Sequence, residues 1–162
     1  VRNFMHAEPF NHHIWIFWRP DVCVDLILAS DQHITTKVTS GQFSLFISFI
    51  YAKCEDEERR CLWVDRRTFD PGDKPWLVGG DFNIILDPTE KKGKGDYLRK
   101  ASMEFASFMA SAGLLDMGFS GDHFTLCNNQ KGSEQKWCWL DRCLANCNAI
   151  STFPDEKVSH LV

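Results

Sequence analysis

Short apolar segments separated by turn residues occupy the first third of the chain. Residues 14–18, 22–28, 33–39 and 43–51 are rich in the β-branched, aromatic and other apolar residues typical of strands. Turn residues lie between several of them, including Pro20-Asp21 and Ser40-Gly41. The pattern predicts a β-meander, and the long apolar run of its last strand predicts burial on both faces.

Helical spacing first appears after residue 54. Negative charge at residues 55–58 followed by positive charge at 66–67 favours a helix, because the charges complement the helix dipole. Apolar residues with helical spacing predict a second helix over residues 97–112, ended by Gly113. A buried strand is predicted from residue 76. After the second helix, the pattern predicts an extended segment up to 127, a loop at 128–133 and a return strand at 136–140. A short helix at 145–153 and the start of a strand at 158–162 follow.

The strand predicted from residue 76 ends in two glycines followed by Asp81-Phe82-Asn83. In extended backbone Asp81 and Asn83 point to one side, whereas Phe82 points into the core. A carboxylate can hold a hard cation or orient a water, and the carboxamide adds a neutral acceptor and donor. Glycines before them let a phosphate approach the backbone. The segment therefore predicts a phosphoryl-transfer site, and the alternative is a strand end followed by an Asx turn.

Further segments occur in a fixed order around Gly79-Gly80-Asp81-Phe82-Asn83: Phe49-Ile50-Tyr51-Ala52 before it, then Phe124-Thr125 and Leu140-Asp141-Arg142 after it. The ordered set resembles the endonuclease/exonuclease/phosphatase family, also called DNase I-like, and especially the endonuclease domains of plant LINE-type retrotransposons. The resemblance runs from about residue 14 to residue 162. It implies an α+β fold, a four-layer sandwich of two mixed β-sheets flanked by helices. Residues 1–162 are expected to form one partial domain, incomplete at both ends.

The resemblance also implies roles for individual residues. Asp81 would help to activate the attacking water, and Asn83 would help to hold the metal or the phosphate. Tyr51 would contact phosphate, and Asp141 would orient a catalytic His. The implied cofactor is Mg²⁺ or Mn²⁺, with Asp81 and Asn83 as its ligands. Alternatives stay open for two of them: Tyr51 as a core or rim aromatic, and Asp141 as a carboxylate paired with Arg142 or a helix N-cap.

Two parts of the family pattern have no counterpart in this sequence. The family's metal-binding Glu follows an apolar strand, which Glu8 lacks. Its catalytic His lies in a Ser-Asp-His motif beyond a Val-x-His-Leu segment, and Val158-Ser159-His160-Leu161 matches only that leading segment. His160 is therefore not expected to be the catalytic His. We expect any metal to be weakly held. We also expect hydrolysis to be weak or absent, because a concerted site loses most of its rate when one of its members is removed.

Composition limits these expectations further. The chain has 162 residues, of which 44% are hydrophobic, as in a globular domain, and its formal charge is −4, which argues mildly against tight DNA binding. A basic stretch follows Asn83, however, and is a hint of a phosphate-bearing substrate: Lys91, Lys92, Lys94, Arg99 and Lys100. No apolar run approaches the roughly 18–20 residues of a membrane span. Seven cysteines without a C-x-x-C pair favour reduced thiols in an intracellular protein, nuclear or cytoplasmic.

The function that we predict from these features is a remnant of a Mg²⁺-dependent phosphodiester hydrolase of the retrotransposon endonuclease type. Its partner would be DNA or another phosphodiester substrate. The alternatives are a non-catalytic nucleic-acid-binding or interaction module on the same scaffold, and a decayed fragment without a selected function.

Overall fold

The computed structural model describes the backbone of residues 3–6 and the full residues 13–95 and 97–160. Its strands are β1 (Asn3–His6), β2 (Trp15–Trp18), β3 (Cys23–Ala29), β4 (His33–Ser40), β5 (Phe43–Tyr51), β6 (Trp76–Asp81), β7 (Lys91–Lys92), β8 (Leu114–Asp116), β9 (Leu126–Cys127), β10 (Trp137–Cys138) and β11 (Asp141–Asn146). Its helices are α1 (Asp56–Arg67), α2 (Arg99–Ser111) and α3 (Cys147–Thr152), with short 3₁₀ turns at Pro88–Glu90 and Gly132–Glu134.

A six-stranded mixed sheet forms the centre of the described fold, in the order β3-β4-β5-β6-β11-β8. The predicted meander is confirmed for three of its four strands, because β3, β4 and β5 pair antiparallel in succession, whereas β2 pairs with β1 in a separate sheet. β5 and β6 pair in parallel and are connected through α1, whereas β11 lies antiparallel between β6 and β8. Smaller sheets join β1 with β2 and order β7-β10-β9.

Helices α1 and α2 cover one face of the central sheet with an aromatic core. Trp63 of α1 stacks near Phe105 and Phe108 of α2, at centroid distances of 5.0 and 5.1 Å. Phe82 joins this cluster and is fully buried, as its predicted inward orientation requires. Each such side chain contributes roughly 1.5–3 kcal/mol by leaving water. This core fixes the end of β6 at which Asp81 lies.

Strand β2 packs on the opposite face of the sheet. Its Ile16 and the preceding Ile14 are buried against Ile34 of β4, with Phe49 of β5 alongside. This second core is smaller than the helical one and covers part of the face. Strand β5 is accordingly not buried on both sides as predicted: of its nine residues only Ser48 and Ile50 are buried, and the ends Phe43 and Tyr51 are exposed.

Polar side chains are also buried between α1 and the sheet. Arg66 donates from Nη1 to Thr35 Oγ1 at 2.6 Å, and Thr35 Oγ1 lies 2.8 Å from Ser48 Oγ. Trp76 Nε1 donates to the same Ser48 oxygen at 3.0 Å. Burial and the neighbouring Arg66 lower the pKa of His33 from 6.5 to about 3, so this imidazole is neutral at physiological pH.

The last third departs from the predicted elements. Strand β11 was not predicted, and the short helix begins at Cys147 rather than 145, because Asn146 caps it by accepting the Ala149 N–H at 2.8 Å. In the strand predicted at 158–162, Ser159 forms an isolated bridge with Ser120, and residues 161–162 lie outside the described residues. Within the described ranges, no helix has the length and apolar character needed to cross a membrane.

Candidate functional site

Three of the four predicted site residues lie side by side at one end of the central sheet. Tyr51 is the last residue of β5 and pairs in register with Asp81, the last residue of β6. Asp81 pairs in turn with Asp141, the first residue of β11. Side chains of in-register residues on adjacent strands project from the same face, with Cα atoms roughly 4.5–5.5 Å apart. The sheet therefore forms a row of a phenol and two carboxylates.

Asn83 adjoins this row in a conformation that strand periodicity did not predict. Strand β6 ends at Asp81, and Asn83 has a left-handed φ of 48°, so the expected alternation of an extended chain is wrong at this residue. Asp81 Oδ1 accepts the Asn83 N–H at 2.8 Å, which forms the alternative Asx turn. Asn83 Nδ2 donates to the Ala52 carbonyl at 2.6 Å. The amide is thereby fixed next to the end of β5, and its Oδ1 accepts no hydrogen bond from the residues described.

The glycines before Asp81 serve the packing of the sheet. Gly80 has a φ of 137°, and a Cβ at this residue would lie 2.1 Å from the Ile50 carbonyl oxygen of β5. A Cβ at Gly79 would meet its nearest atom, the Arg142 oxygen, at an ordinary 3.6 Å. The expected approach of a phosphate is therefore not what requires glycine at residue 80. The β5 backbone requires it.

Burial and charge act on Asp81 together. Burial raises the pKa of Asp81 above its usual value, and the neighbouring Asp141 carboxylate raises it further. The Asn83 N–H and the Arg59 guanidinium act in the opposite direction. Arg59 is itself buried at the start of α1, where its Nη1 donates to the carbonyls of Lys53 and Cys54. Sequence reasoning missed this cation, because it lies 22 positions before Asp81 on a helix.

A threonine anchors the segment that carries Asp141. Thr125 Oγ1 accepts the backbone N–H groups of Leu140 and Asp141 at 3.0 and 3.1 Å. The Trp139 indole Nε1 donates to the Asp141 carbonyl at 2.7 Å. The Phe124-Thr125 segment of the family resemblance thus acts through the backbone of the Leu-Asp-Arg segment.

Arg142 is not the partner of Asp141. It is buried, and its Nη1 lies 2.9 Å from Asp116 Oδ2, while its Nη2 pairs with Glu90. Its guanidinium also lies 4.0 Å from the Trp139 ring centroid. Neighbouring residues on a strand point to opposite faces, which separates Arg142 from Asp141. Because Asp141 begins a strand, it is not a helix N-cap either.

Two histidines lie near the row. His13 stacks on Tyr51 with a centroid distance of 4.7 Å. His160 lines the same cavity as Asp141, but its Nδ1 lies 2.6 Å from the Asp122 carbonyl and its ring stacks on Phe119 at 4.3 Å. The hydrogen bond and the ring stacking of His160 thus involve Asp122 and Phe119 rather than Asp141. The structure therefore gives His160 no catalytic contact, in line with the sequence.

The oxygen atoms of the row suit a hard cation. Mg²⁺ binds through one or two carboxylates and keeps several waters. Asp81, Asp141 and the Asn83 Oδ1 offer this kind of donor set, and a cation would also relieve the repulsion that raises the pKa of Asp81. No group of three or more His, Cys, Asp or Glu residues that could hold a metal occurs in the described ranges. The residues therefore fit a weakly held, largely hydrated ion.

The fold is shared with solved nucleic-acid enzymes. The endonuclease domain of TRAS1, a telomere-specific non-LTR retrotransposon, matches with a TM-score of 0.69 and 15% identity, over 93% of this chain and 69% of that one. The chain has a DNase I-like fold. TDP2 of D. rerio, complexed with a single-strand DNA product, matches at 0.58 and 17% identity, over 90% of this chain and 62% of that one. C. elegans TDP2 matches at 0.53 and 15%, over 90% and 48%.

At these identities the similarity shows the fold alone. No protein-family profile matches the chain, and no curated protein matches it. The predicted α+β class and DNase I-like architecture are confirmed. The plant LINE-type origin and the roles of Tyr51, Asp81, Asn83 and Asp141 stay predictions.

Proposed function

We propose that this domain hydrolyses phosphodiester bonds in DNA with the help of Mg²⁺ or Mn²⁺, as a retrotransposon-type endonuclease of the plant LINE group. The observation that supports this most is the row of Tyr51, Asp81 and Asp141 across β5, β6 and β11. It lies at one end of the central sheet in a fold that the TRAS1 endonuclease domain shares. An intracellular location is part of the same proposal.

Each residue of the row has a task in this chemistry. The raised pKa of Asp81 makes its carboxylate a better proton acceptor for the attacking water. The Tyr51 hydroxyl and the Asn83 amide orient the phosphate through hydrogen bonds. Asp81 and Asn83 would hold the cation, which would supply positive charge next to the phosphate oxygens. Asp141 would orient the catalytic histidine of the family pattern.

Weak hydrolysis is expected from this chain by itself. The pairing of a histidine with Asp141 would hold its tautomer and stabilise the imidazolium. Removing one member of a concerted group costs roughly 10²–10⁴ in rate. Cation binding does not need the histidine, so it gives a second and independent readout of the site.

Nicking of supercoiled plasmid tests the proposal directly. We expect slow nicking in Mg²⁺ or Mn²⁺, none in EDTA, and none in Asp81→Ala. The matched control is Asp25→Ala, which removes an exposed carboxylate from β3 of the same sheet and should leave nicking unchanged. Nicking that persists in Asp81→Ala would refute the assignment of the site.

Thermal unfolding with and without the cation provides the second test. We expect millimolar Mn²⁺ to raise the Tm of the chain and of Asp25→Ala, since an ion that binds the folded state stabilises it. Asp81→Asn keeps the shape of the side chain but removes its charge, so the cation-dependent shift should disappear. A chain that neither nicks DNA nor responds to the cation contradicts the metal-dependent proposal.

A second candidate is a non-catalytic nucleic-acid-binding module on the same scaffold. Arg99 and Lys100 favour it, because both are exposed at the start of α2 and belong to the basic stretch. Binding would then weaken steeply with salt, and each lysine that contacts a phosphate would reduce the salt slope by about 1. Salt-sensitive DNA binding that Lys100→Ala weakens, with no nicking under any condition, favours this candidate over hydrolysis.

A further inference from the structure

Two adjoining cavities extend from Asp141 along the three-stranded sheet. The first has a volume of about 530 Å³ and is lined by Asp141, Thr125, Phe124 and Trp137 among others. The second, of about 390 Å³, is lined by Lys92 and Gln135 and shares Phe124 and Trp137 with the first. Ligand sites occupy cavities of roughly 300–1,000 Å³. The two cavities form one groove, which we call the hairpin groove, from the proposed hydrolytic site to Lys92.

Strand register sets the arrangement of the groove wall. Trp137 on β10 pairs directly with Lys92 on β7 and with Cys127 on β9. Because in-register neighbours project from the same face, the Lys92 ammonium and the Trp137 indole stand next to each other. Asn128 braces the loop of the hairpin: its Oδ1 accepts the Lys136 N–H at 2.9 Å and its Nδ2 donates to the Glu134 carbonyl at 2.9 Å. Trp137 is thereby held on a braced hairpin.

The groove offers aromatic surface at its centre. Phe124 and Trp137 are both half-buried, their centroids are 6.4 Å apart and their planes are inclined at 45°. Trp137 is fixed by strand pairing on both sides, so its half-buried ring presents a face for stacking at little entropic cost. Nucleobases stack on such faces without regard to sequence, and each stacked base strengthens binding substantially.

The charges of the groove select a neutral ring flanked by anions. Asp122 lines both cavities, and its negative charge disfavours a phosphate between them. Lys92 favours a phosphate at the far end of the groove, and a cation bound near Asp81 and Asp141 would favour a second phosphate at the other end. A base between two phosphates of one strand matches this order of charges. A paired base cannot match it, because its faces are covered by neighbouring bases in the duplex.

We propose that the hairpin groove binds one unpaired nucleotide beside the scissile phosphate, with its base stacked on Trp137, its edge against Phe124 and its distal phosphate at Lys92. This subsite rests on the proposed function for its position, since it starts at Asp141. Stacking and charge pairing at Trp137 and Lys92 operate without hydrolysis. The subsite can therefore be measured separately.

Binding of short fluorescent oligonucleotides in EDTA tests the subsite without any cleavage. The probes are a thymidine pentamer, the same pentamer with abasic residues in place of the bases, and a blunt-ended duplex long enough to stay fully paired at the assay temperature. We expect the pentamer to bind more tightly than the abasic strand by roughly 5- to 150-fold, the range that one stacked base provides. The duplex should bind no better than the abasic strand.

Substitutions then assign the effect to the groove. Trp137→Ala should weaken binding of the pentamer by a similar factor and leave the abasic strand unchanged, whereas Trp137→Phe keeps a stacking face and should restore most of the affinity. The control is Phe43→Ala, an exposed aromatic residue at the opposite end of β5 from Tyr51. Circular dichroism and cooperative unfolding verify that each variant is folded. If Trp137→Ala is not folded, Trp137→Leu takes its place, because it keeps apolar bulk without an aromatic face and should weaken binding of the pentamer in the same way.

The outcomes separate this inference from the proposed function. Equal affinity for the pentamer and the abasic strand overturns the stacking subsite, and so does an unchanged affinity in Trp137→Ala. A preference for the pentamer that depends on Trp137 supports the subsite even in a chain that never nicks plasmid. In that case the proposed hydrolysis fails and the nucleotide-binding groove remains.

Discussion

Replacing Arg142 by Met should destabilise the fold more than any comparable change at the surface. Arg142 pairs with Glu90 and with Asp116, and the side chains of Arg142 and Glu90 are 1% and 9% exposed. Met occupies similar space but leaves Glu90 buried without its cation. Glu90 Oε2 keeps the N–H of Leu86, at 2.7 Å, which does not compensate for a lost charge.

Breaking a buried pair on one side costs about 3–5 kcal/mol, because an uncompensated charge stays in the interior. That loss is a large share of the 5–15 kcal/mol by which domains are typically stable. The matched control is Arg60→Met, which breaks the Arg60–Glu104 pair, also an Arg–Glu contact but 41% and 28% exposed. Water solvates Glu104 when its partner is removed, so little stability is lost.

Urea unfolding followed by far-UV circular dichroism measures both variants. With slopes of roughly 1–3 kcal/mol/M, the Arg142→Met midpoint should fall by at least about 1 M. The Arg60→Met midpoint should stay close to that of the unmodified chain. A double variant, Arg142→Met with Glu90→Leu, should recover part of the loss by removing the unpaired carboxylate. Equal midpoints for Arg142→Met and Arg60→Met would refute a buried ion pair at this position.

Three further predictions concern β6 and the buried groups near it. Gly80→Ala should destabilise the fold by about 1–3 kcal/mol or more in urea unfolding, because the added Cβ would lie 2.1 Å from the Ile50 oxygen. Gly79→Ala should be tolerated, because its Cβ would lie 3.6 Å from the nearest atom. Similar losses for both variants would contradict the close approach at Gly80. Because the pKa of His33 is lowered to about 3, the unfolded chain binds one more proton than the folded chain between about pH 3 and 6.5. The free energy of unfolding should therefore rise with pH across that window, by up to about 1.4 kcal/mol per pH unit. The slope should be smaller in His33→Gln, and an unchanged slope would exclude His33 as its source. The raised pKa of Asp81 has the opposite sign: the folded chain retains the proton above the usual carboxyl pKa, and stability is lost as pH rises through the folded pKa. Without cation, Asp81→Asn should therefore unfold at higher urea than the unmodified chain at pH 7, and a lower midpoint would contradict a burial cost at Asp81.

Local pattern was sufficient for the elements whose neighbours along the chain decide their structure. The strands β3–β5 and the helix α2 follow from apolar spacing, and α1 follows from the order of its charges; the structure reproduces these elements to within a few residues. The turn at the end of β6 could also be anticipated from the sequence, as the alternative of an Asx turn. Asp81 forms it by accepting the Asn83 N–H. The ordered segments around Asp81 led to the DNase I-like fold, which structural similarity confirmed.

Strand β11 shows where local pattern was insufficient. It carries Arg142 on the buried side, a position that sequence alone marks as polar surface. The partners that make this burial possible, Glu90 and Asp116, lie 52 and 26 residues away. The burial of Arg142 in β11, between β6 and β8, therefore depends on partners that local pattern does not reveal.

The sequence by itself determined which residue types are present for the chemistry and which of them end a strand. The tertiary structure alone decided that Tyr51, Asp81 and Asp141 form one row, since that row depends on the register of three strands separated by 30 and 60 residues. It also decided that Gly80 serves the β5 backbone and that Trp137 adjoins Lys92. Register is a property of paired strands, because each hydrogen-bonded ladder fixes both partners at once.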